Sequence, residues 1–391
     1  MAYSEEDLNA AVAAGALSVE AATSFRNFMT QVREIPRGSE ENFRLINSFN
    51  DIFVAIGIVI LIVAVAAIGD AMAGLFMTTP VAPDNDSAAA WDVYSTARDK
   101  FDALQNVIAA PLIAGAAWLL AEFFTKRRRM ALPSIILLLC FVVSIVWGVF
   151  NLGLLLVGME NDGTGALVLS IAGLVGAAGA FVHWTRFMVP ITIAAGTAAA
   201  ALTIVGLIVA GLDAAGVEDL GNAGLVLSFV TGLAVFAFAM RWDISDRTRI
   251  SRRSDVAFWL HLLAAPLIAH PLFYSLGLFG SDDAGTLSAV AALAIYIVFG
   301  FVAVLVDRRA LLVSALAYVL VAMGYLFDKF GAVELAFALT ALVIGSALLT
   351  LSAFWQPIRR VALSALPQTW RDRLPDTEDA IMPGTAAVPA Q

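Results

Sequence analysis

Residues 258–273 read FWLHLLAAPLIAHPLF and place two histidines and two prolines in an otherwise apolar stretch. An imidazole can bind a metal, carry a proton or form a hydrogen bond. His261 and His270 are about 13 Å apart along a helix and on nearly opposite faces, so they cannot bind one metal together. Pro266 and Pro271 each leave one backbone carbonyl without its helical partner. The stretch therefore predicts a kinked membrane helix that offers polar groups to a site or to neighbouring helices.

The centre of this stretch, AAPLIA at 264–269, occurs once more at 109–114. The two copies lie in the second and seventh of the membrane spans predicted below, which cross in opposite directions. Ten spans then divide into two inverted units of five, an arrangement found in transporters whose sites lie near the midplane at broken helices. We therefore expect Pro111 and Pro266 to lie at similar depth and to face each other. The alternative is a coincidence between two alanine-rich helices.

When the two AAPLIA copies are aligned, Asn106 is equivalent to His261 and Gly115 is equivalent to His270. Ionisable residues inside a membrane are rare and are functional candidates by default, although each histidine can instead bond a neighbouring helix. Asn151 lies well inside a span, and helix–helix bonding is its simpler role. The predicted substrate-binding residues are His261, His270, Pro266, Pro111, Asn106 and Asn151.

Other kinds of site are not indicated by the sequence. It contains no phosphate loop, nucleophile elbow or zinc motif, and Cys140 is its single cysteine. Glu122 lies four residues before a lysine and Asp307 adjoins two arginines, so both are expected to form ion pairs at the inner interface. His183 lies at a span end and is expected to be interfacial. We predict no catalytic residue, no metal, no cofactor and no nucleic-acid partner, and we do not expect an enzyme.

The candidate residues belong to a chain of 391 residues that is 60% hydrophobic and only 14% charged, whereas soluble domains carry roughly 25% charged residues. Charge is confined to short islands between apolar runs of about the ~20 residues that cross a membrane as a helix. The predicted fold class is therefore all-α, a polytopic membrane protein with about ten transmembrane helices. The predicted spans are 52–76, 104–124, 131–157, 165–182, 188–211, 223–240, 256–279, 286–306, 310–327 and 332–355.

The connections between the spans alternate in charge. Those at 125–130, 184–187, 241–255 and 306–310 are basic, and the others are acidic or nearly neutral. Grouping both tails with the basic connections places 20 of the 23 Lys and Arg residues on one side. Because short cytoplasmic loops collect Lys and Arg, we predict a bacterial inner-membrane protein with both termini in the cytoplasm.

Three regions are predicted along the chain. Residues 1–50 form a cytoplasmic helical hairpin and a lead-in helix, residues 51–356 form the transmembrane domain, and residues 357–391 form a cytoplasmic amphipathic segment and a disordered tail. The amphipathic segment is expected in the lipid headgroup layer. Its arginines are Arg359, Arg360, Arg371 and Arg373.

The N-terminal hairpin is predicted from its caps and its apolar positions. Gly15 can end the first helix, and Ser18 can cap the second. The shared apolar face is expected to comprise Leu8, Val12, Leu17, Val19, Phe25, Phe28 and Val32. About thirty residues are too few to fold well alone, so the hairpin is expected to pack on the membrane domain, on the bilayer or on a protein partner at residues 4–33.

A family resemblance lies in the two ends of the chain. The N-terminal part has an Asp-Leu start, GALS at 15–18, a second short helix and FNDIFVAIG at 49–57, and the C-terminal part has WQPIRR at 355–360 followed by RLP. These features resemble the bacterial inner-membrane proteins grouped as DUF2157-like. The resemblance implies the architecture described above, is loose through the spans, and supplies no activity and no site residues.

Three functions remain open from the sequence. A transporter-like carrier of a small solute is favoured, because ten spans, a five-plus-five inversion and proline-broken helices suit it. A membrane scaffold or regulator that acts through the N-terminal hairpin is the alternative. A membrane-embedded acyltransferase-like enzyme is the weakest, since IVILIVAV in the first span lacks the Arg and His expected of such enzymes. A substrate cavity at matched depth in the second and seventh spans would favour the carrier, and a bundle without a cavity would favour the scaffold.

Overall fold

The structure is a computed structural model of the 391-residue chain. It describes residue 8 and the ranges 11–25, 49–84, 87–158, 162–217, 219–247, 249, 251–277, 286–329 and 336–375, and this part of the chain contains helices and no strand. The helices are α1 (Phe49–Ala73), α2 (Ala88–Ala121), α3 (Ala131–Val157), α4 (Asp162–Phe187), α5 (Ile191–Ala214), α6 (Leu220–Ser245), α7 (Arg252–Tyr274), α8 (Thr286–Val306), α9 (Ala310–Lys329), α10 (Ala336–Ala353), α11 (Trp355–Ser364) and α12 (Gln368–Arg371). A π-helix, Glu122–Arg127, continues directly from α2.

Eight helices in the described part of the chain, α1 to α8, are long and apolar enough to cross a membrane. The chain is therefore a multi-pass, all-helical membrane protein. Helices α1 to α10 lie where the ten spans were predicted. However, the apolar stretch of α9 is only Leu311–Phe327, and α10 is bent by 73° against α11. The count of ten spans stays a prediction.

Consecutive helices pack as hairpins, α2 with α3, α4 with α5, α6 with α7 and α8 with α9. The connections within these four hairpins are the basic ones, and we call the end of the bundle that they form the basic end. Each connection includes one residue in the left-handed backbone region. These residues, the described non-glycine residues with positive φ, are Arg129, Met188, Arg249 and Asp307, with φ between 52° and 58°.

The two AAPLIA segments lie in helices with different principal neighbours. α2 packs mainly against α1 and α3, whereas α7 packs against α6, α9 and α5. Buried alanines in each copy contact other helices, and a Cβ added to Gly69 of α1 would lie 2.5 Å from the Cα atom of Ala109. Pro111 and Pro266 are both exposed. The predicted face-to-face arrangement of the prolines around a central site is therefore wrong, because the small residues of the segments serve packing. The inverted repeat stays a prediction.

A carbonyl freed by proline in α7 finds a partner on α6. Pro271 removes the backbone donor that would bond the carbonyl of Leu267. The hydroxyl of Ser228 donates a hydrogen bond to that carbonyl at 3.3 Å. Gly232 lets α6 come this close, since a Cβ there would lie 2.9 Å from the carbonyl carbon of Leu267. An interhelical bond thus satisfies a backbone group that lipid could not.

Small residues allow α4 and α5 to approach closely, as the glycine and alanine runs at 173–179 and 196–201 predicted. A Cβ added to Gly173 would lie 2.7 Å from the carbonyl oxygen of Ala199. A Cβ added to Gly206 would lie 2.7 Å from the carbonyl oxygen of Ala166. The backbones of the two helices are therefore in direct contact, and a side chain at either glycine would force them apart.

The described part of the N-terminal hairpin confirms its predicted caps. Gly15 has a φ of 72°, and the backbone N–H of Ala21 donates to the Ser18 hydroxyl at 3.0 Å. The predicted shared apolar face stays a prediction. Leu8 is buried and Val12 is half-buried, but exposed side chains at this face are Leu17, Val19 and Phe25. Phe28, Val32, the lead-in helix before residue 49 and the tail after residue 375 lie outside the described residues.

We predict that Gly206→Leu lowers the free energy of unfolding by about 1–3 kcal/mol or more, because the added side chain overpacks the α4–α5 contact. Thermal unfolding of the purified protein in detergent measures the effect. Gly211→Leu, on the same helix with no atom within 4 Å of an added Cβ, is the matched control and should change little. Equal midpoints for the two variants would contradict this account of the α4–α5 contact.

Candidate functional site

A buried cluster of charges surrounds His261 at the basic end. The Nε2 atom of His261 lies 2.8 Å from Oδ2 of Asp243, and Oδ1 of Asp243 accepts a hydrogen bond from Nη2 of Arg308 at 2.6 Å. His261 and Asp243 are fully buried, and Arg308 is 1% exposed. Because an ionised carboxylate only accepts hydrogen bonds, Nε2 of His261 is the donor in this contact. Arg308 also donates to the backbone carbonyl of Ser254 at 3.0 Å, which joins α6, α7 and the α8–α9 connection.

A second ion pair adjoins the first. Arg249 Nη1 lies 2.8 Å from Oδ2 of Asp307, and the other carboxylate oxygen accepts from the indole N–H of Trp355 at 2.6 Å. Burial would raise the pKa of Asp307, but the charges of Arg249 and Arg359 outweigh it and lower that pKa. Burial, helped by the charge of Arg308, lowers the pKa of Arg249 to about 10. The predicted pairing of Asp307 with Arg308 is wrong, because Arg308 turns inward to Asp243.

The C-terminal segment closes over this cluster. Arg359 is fully buried on the inner face of α11, and its Nη2 donates to the carbonyl of Pro375 at 2.6 Å. Arg247 donates to the carbonyl of Leu374 at 2.9 Å. The expectation that Arg359 lies among lipid headgroups is wrong, because the carboxylate of Asp307 and the carbonyl at the end of the segment draw it into the protein.

Three guanidinium groups and two carboxylates form the ion pairs of this cluster. The guanidinium groups belong to Arg249, Arg308 and Arg359, and the carboxylates belong to Asp243 and Asp307. His261 holds the Asp243 carboxylate in position through the Nε2 contact.

The other predicted site residues are dispersed. His270 is exposed, and its Nδ1 lies 2.8 Å from the Tyr318 hydroxyl, so the prediction that it points into the bundle is wrong. The side-chain amide of Asn106 donates to Asn151 at 3.2 Å, which confirms the interhelical role of Asn151. His183 is 1% exposed and packs against three aromatic rings, so it faces the protein interior, and its depth at the span end stays a prediction. The six candidates therefore form no common site.

An open cavity of about 500 Å³ lies at the basic end beside the charge cluster. It is bounded by the π-helix, by the starts of α3, α5 and α7 and by the end of α4. Four cationic side chains line it, and Asp255 is the one acidic residue among the lining residues. The cationic residues are Lys126, Arg129, Arg186 and Arg252. The π-helix that follows α2 and the start of α7 thus both line this cavity.

The π-helix gives the cavity an unpaired hydroxyl. It places Thr125 in the wall, where the residue is 8% exposed and its Oγ1 has no hydrogen-bond partner among the described residues. A buried hydroxyl without a partner is costly, and π-helical turns are frequent at functional sites. Thr125 therefore marks this wall as a place where a ligand or a water molecule would complete a hydrogen bond.

The backbone of the cavity is strained on two sides. Arg129 and Met188, which both line the cavity, have φ values of 53° and 52°. A non-glycine residue in this region costs about 1–2 kcal/mol, and such residues cluster at functional sites.

Arg186 pairs with Glu122 through two bonds of 2.7 Å and 2.9 Å. The hydrogen-bonded partner of Glu122 is therefore Arg186 and not the lysine four residues later, and its place at the membrane interface stays a prediction.

The described residues hold no group of three His, Cys, Asp or Glu side chains placed to bind a metal ion. Comparison of the chain with protein-family models, curated proteins and solved structures finds no match.

Sequence reasoning missed both the charge cluster and the cavity. Asp243 lies in RWDISD and Arg308 in VDRRA, which read as basic connections that set topology. The two residues are 65 positions apart, and no local pattern joins them. A usable signal was the presence of acidic residues inside a basic connection, since a carboxylate that a helix carries into the protein needs a buried cation.

We predict that Asp243→Leu lowers the free energy of unfolding by about 3–5 kcal/mol, because it leaves Arg308 buried without its counter-ion. Asp102→Leu is the control, since it breaks the exposed pair with Arg98 and should cost only about 0–1 kcal/mol. The double variant Asp243→Leu with Arg308→Met should regain much of the loss. Thermal unfolding in detergent checks all three, and a double variant no more stable than Asp243→Leu would contradict the pairing.

Proposed function

We propose that this protein is a transporter-like carrier of a small anionic solute, with the basic cavity as its inward-facing binding site. The observation that carries the proposal is the set of four cationic side chains around one open cavity of about 500 Å³. They come from three hairpins that are distant in the chain. A solute held there contacts the π-helix, α3 to α5 and α7 at once, so a movement between these helices would change its access to either side.

The orientation that we propose places the basic end in the cytoplasm of a bacterial inner membrane. The support is the charge asymmetry of the chain, in which 20 of 23 Lys and Arg residues lie on one side of a ten-span arrangement. The DUF2157-like layout of both ends of the chain agrees with this arrangement. The cavity would then draw its solute from the cytoplasm, where its positive charge attracts anions.

The test is uptake of labelled solutes by liposomes that contain the purified protein. We expect uptake of at least one small anion, and little uptake of neutral or cationic solutes of the same size. Arg129→Gln and Arg252→Gln should each reduce the apparent affinity about tenfold or more, because each removes a charged hydrogen-bond donor.

The matched controls are the neighbouring residues that do not line the cavity, Arg127→Gln and Arg253→Gln, and they should transport like the wild type. No uptake of any anion in the panel, or equal losses in the cavity and control variants, would contradict the carrier. Retained anion binding without uptake would favour a regulator that senses the anion.

A further inference from the structure

We infer that the ligand of the basic cavity carries a phosphoryl group, an inference that rests on the proposed function only in taking this cavity as the ligand site. The reasons are the net charge of the lining, its hydrogen-bond donors and the apolar side chains beside them.

The net charge of the lining matches a dianion. Arg186 is neutralised by its two bonds to Glu122. Lys126, Arg129 and Arg252 then face Asp255 alone, which leaves a net charge of two positive units. A phosphate monoester carries about −1.5 to −2 charges at neutral pH, whereas a monocarboxylate would leave one cation without a partner.

Backbone N–H groups at the start of α3 add hydrogen-bond donors to the cationic side chains of the wall. The helices α3, α5 and α7 begin at its wall with Ala131, Ile191 and Arg252. Helix α3 has no side-chain cap, whereas Ser251 caps α7 and the N–H groups of Thr192 and Ile193 in α5 already bond backbone carbonyls. The first backbone N–H groups of a helix have no partner within it, and with the helix dipole they favour phosphate.

The unpaired hydroxyl of Thr125 is an independent observation that points to a ligand here. It lies in the same wall, is more than nine-tenths buried, and has no partner among the described residues. A phosphoryl group has three terminal oxygen atoms and can accept from this hydroxyl, from a helix N-terminus and from Arg129 together. A planar carboxylate has only two.

The lining of the cavity also includes apolar side chains, which point to an organic phosphate. Among them are Trp259, Phe187 and Ile135. They offer contacts that inorganic phosphate would leave unused. Two sources share this chemistry, namely a soluble phosphate monoester and the headgroup of an anionic phospholipid.

The experiment measures binding to the purified full-length protein in an uncharged detergent. The soluble probes are glycerol 3-phosphate and glycerate, which differ in carrying a phosphoryl or a carboxylate group. The lipid probes are nanodiscs that contain phosphatidic acid or only phosphatidylcholine. We expect glycerol 3-phosphate or phosphatidic acid to bind at least about tenfold more tightly than its partner probe. Binding of glycerol 3-phosphate indicates a soluble source, and binding of phosphatidic acid alone indicates a headgroup.

Two variants link the binding to the cavity. Thr125→Val should weaken binding of the phosphoryl probe about fivefold, while Thr185→Val should not, because Thr185 bonds a carbonyl of its own helix outside the cavity. Arg129→Gln is a second test if Thr125→Val does not fold.

Equal binding of phosphoryl and control probes, or wild-type binding by both cavity variants, would overturn the inference. Uptake of a carboxylate without phosphoryl binding would overturn the phosphoryl inference and support the carrier. Phosphoryl binding without uptake would support the phosphoryl inference and contradict the carrier.

Discussion

The ion pair between Asp243 and Arg308 is the interaction on which the basic end of this protein depends. Both side chains are almost completely buried, and either charge alone would be strongly destabilising in that place. The pair fixes the end of α6 to the α8–α9 connection and, through Ser254, to the start of α7. His261 holds the carboxylate from one side, and the neighbouring Asp307 ties Trp355 and the C-terminal segment to the same cluster.

Helix α7 links this cluster to the cavity, because its two faces serve the two sites. Ser254 and His261 face the charges, whereas Arg252, Asp255 and Trp259 line the cavity. The four described non-glycine residues with positive φ are also divided between the charge cluster and the cavity. Arg249 and Asp307 pair with each other in the cluster, and Arg129 and Met188 line the cavity. The charge cluster therefore sets the position of the cavity wall that α7 provides. These four residues with positive φ lie in the charge cluster or in the lining of the cavity.

The helices could be predicted from the sequence because long apolar runs and charged connections act locally. The close approach of α4 and α5 could be predicted too, since Gly173 and its neighbours are small whatever surrounds them. The location of the candidate site could not be predicted, because AAPLIA is a packing motif in both copies and does not indicate which helices face each other. Likewise, Asp243 and Arg308 are distant in sequence, and the basic residues of the connections satisfy the topology rule whether or not they line a cavity. His270 illustrates the same limit, as its exposure depends on where α9 packs.

The most direct test of the basic cavity as an anion site is an experimental structure of the protein with tungstate, a tetrahedral dianion that scatters X-rays anomalously. The account predicts an anomalous peak inside the cavity, within about 3–4 Å of donors on Thr125, Arg129 or Arg252. The result that would contradict it is a cavity without a peak while tungstate occupies the exposed arginines outside, such as Arg127 and Arg253.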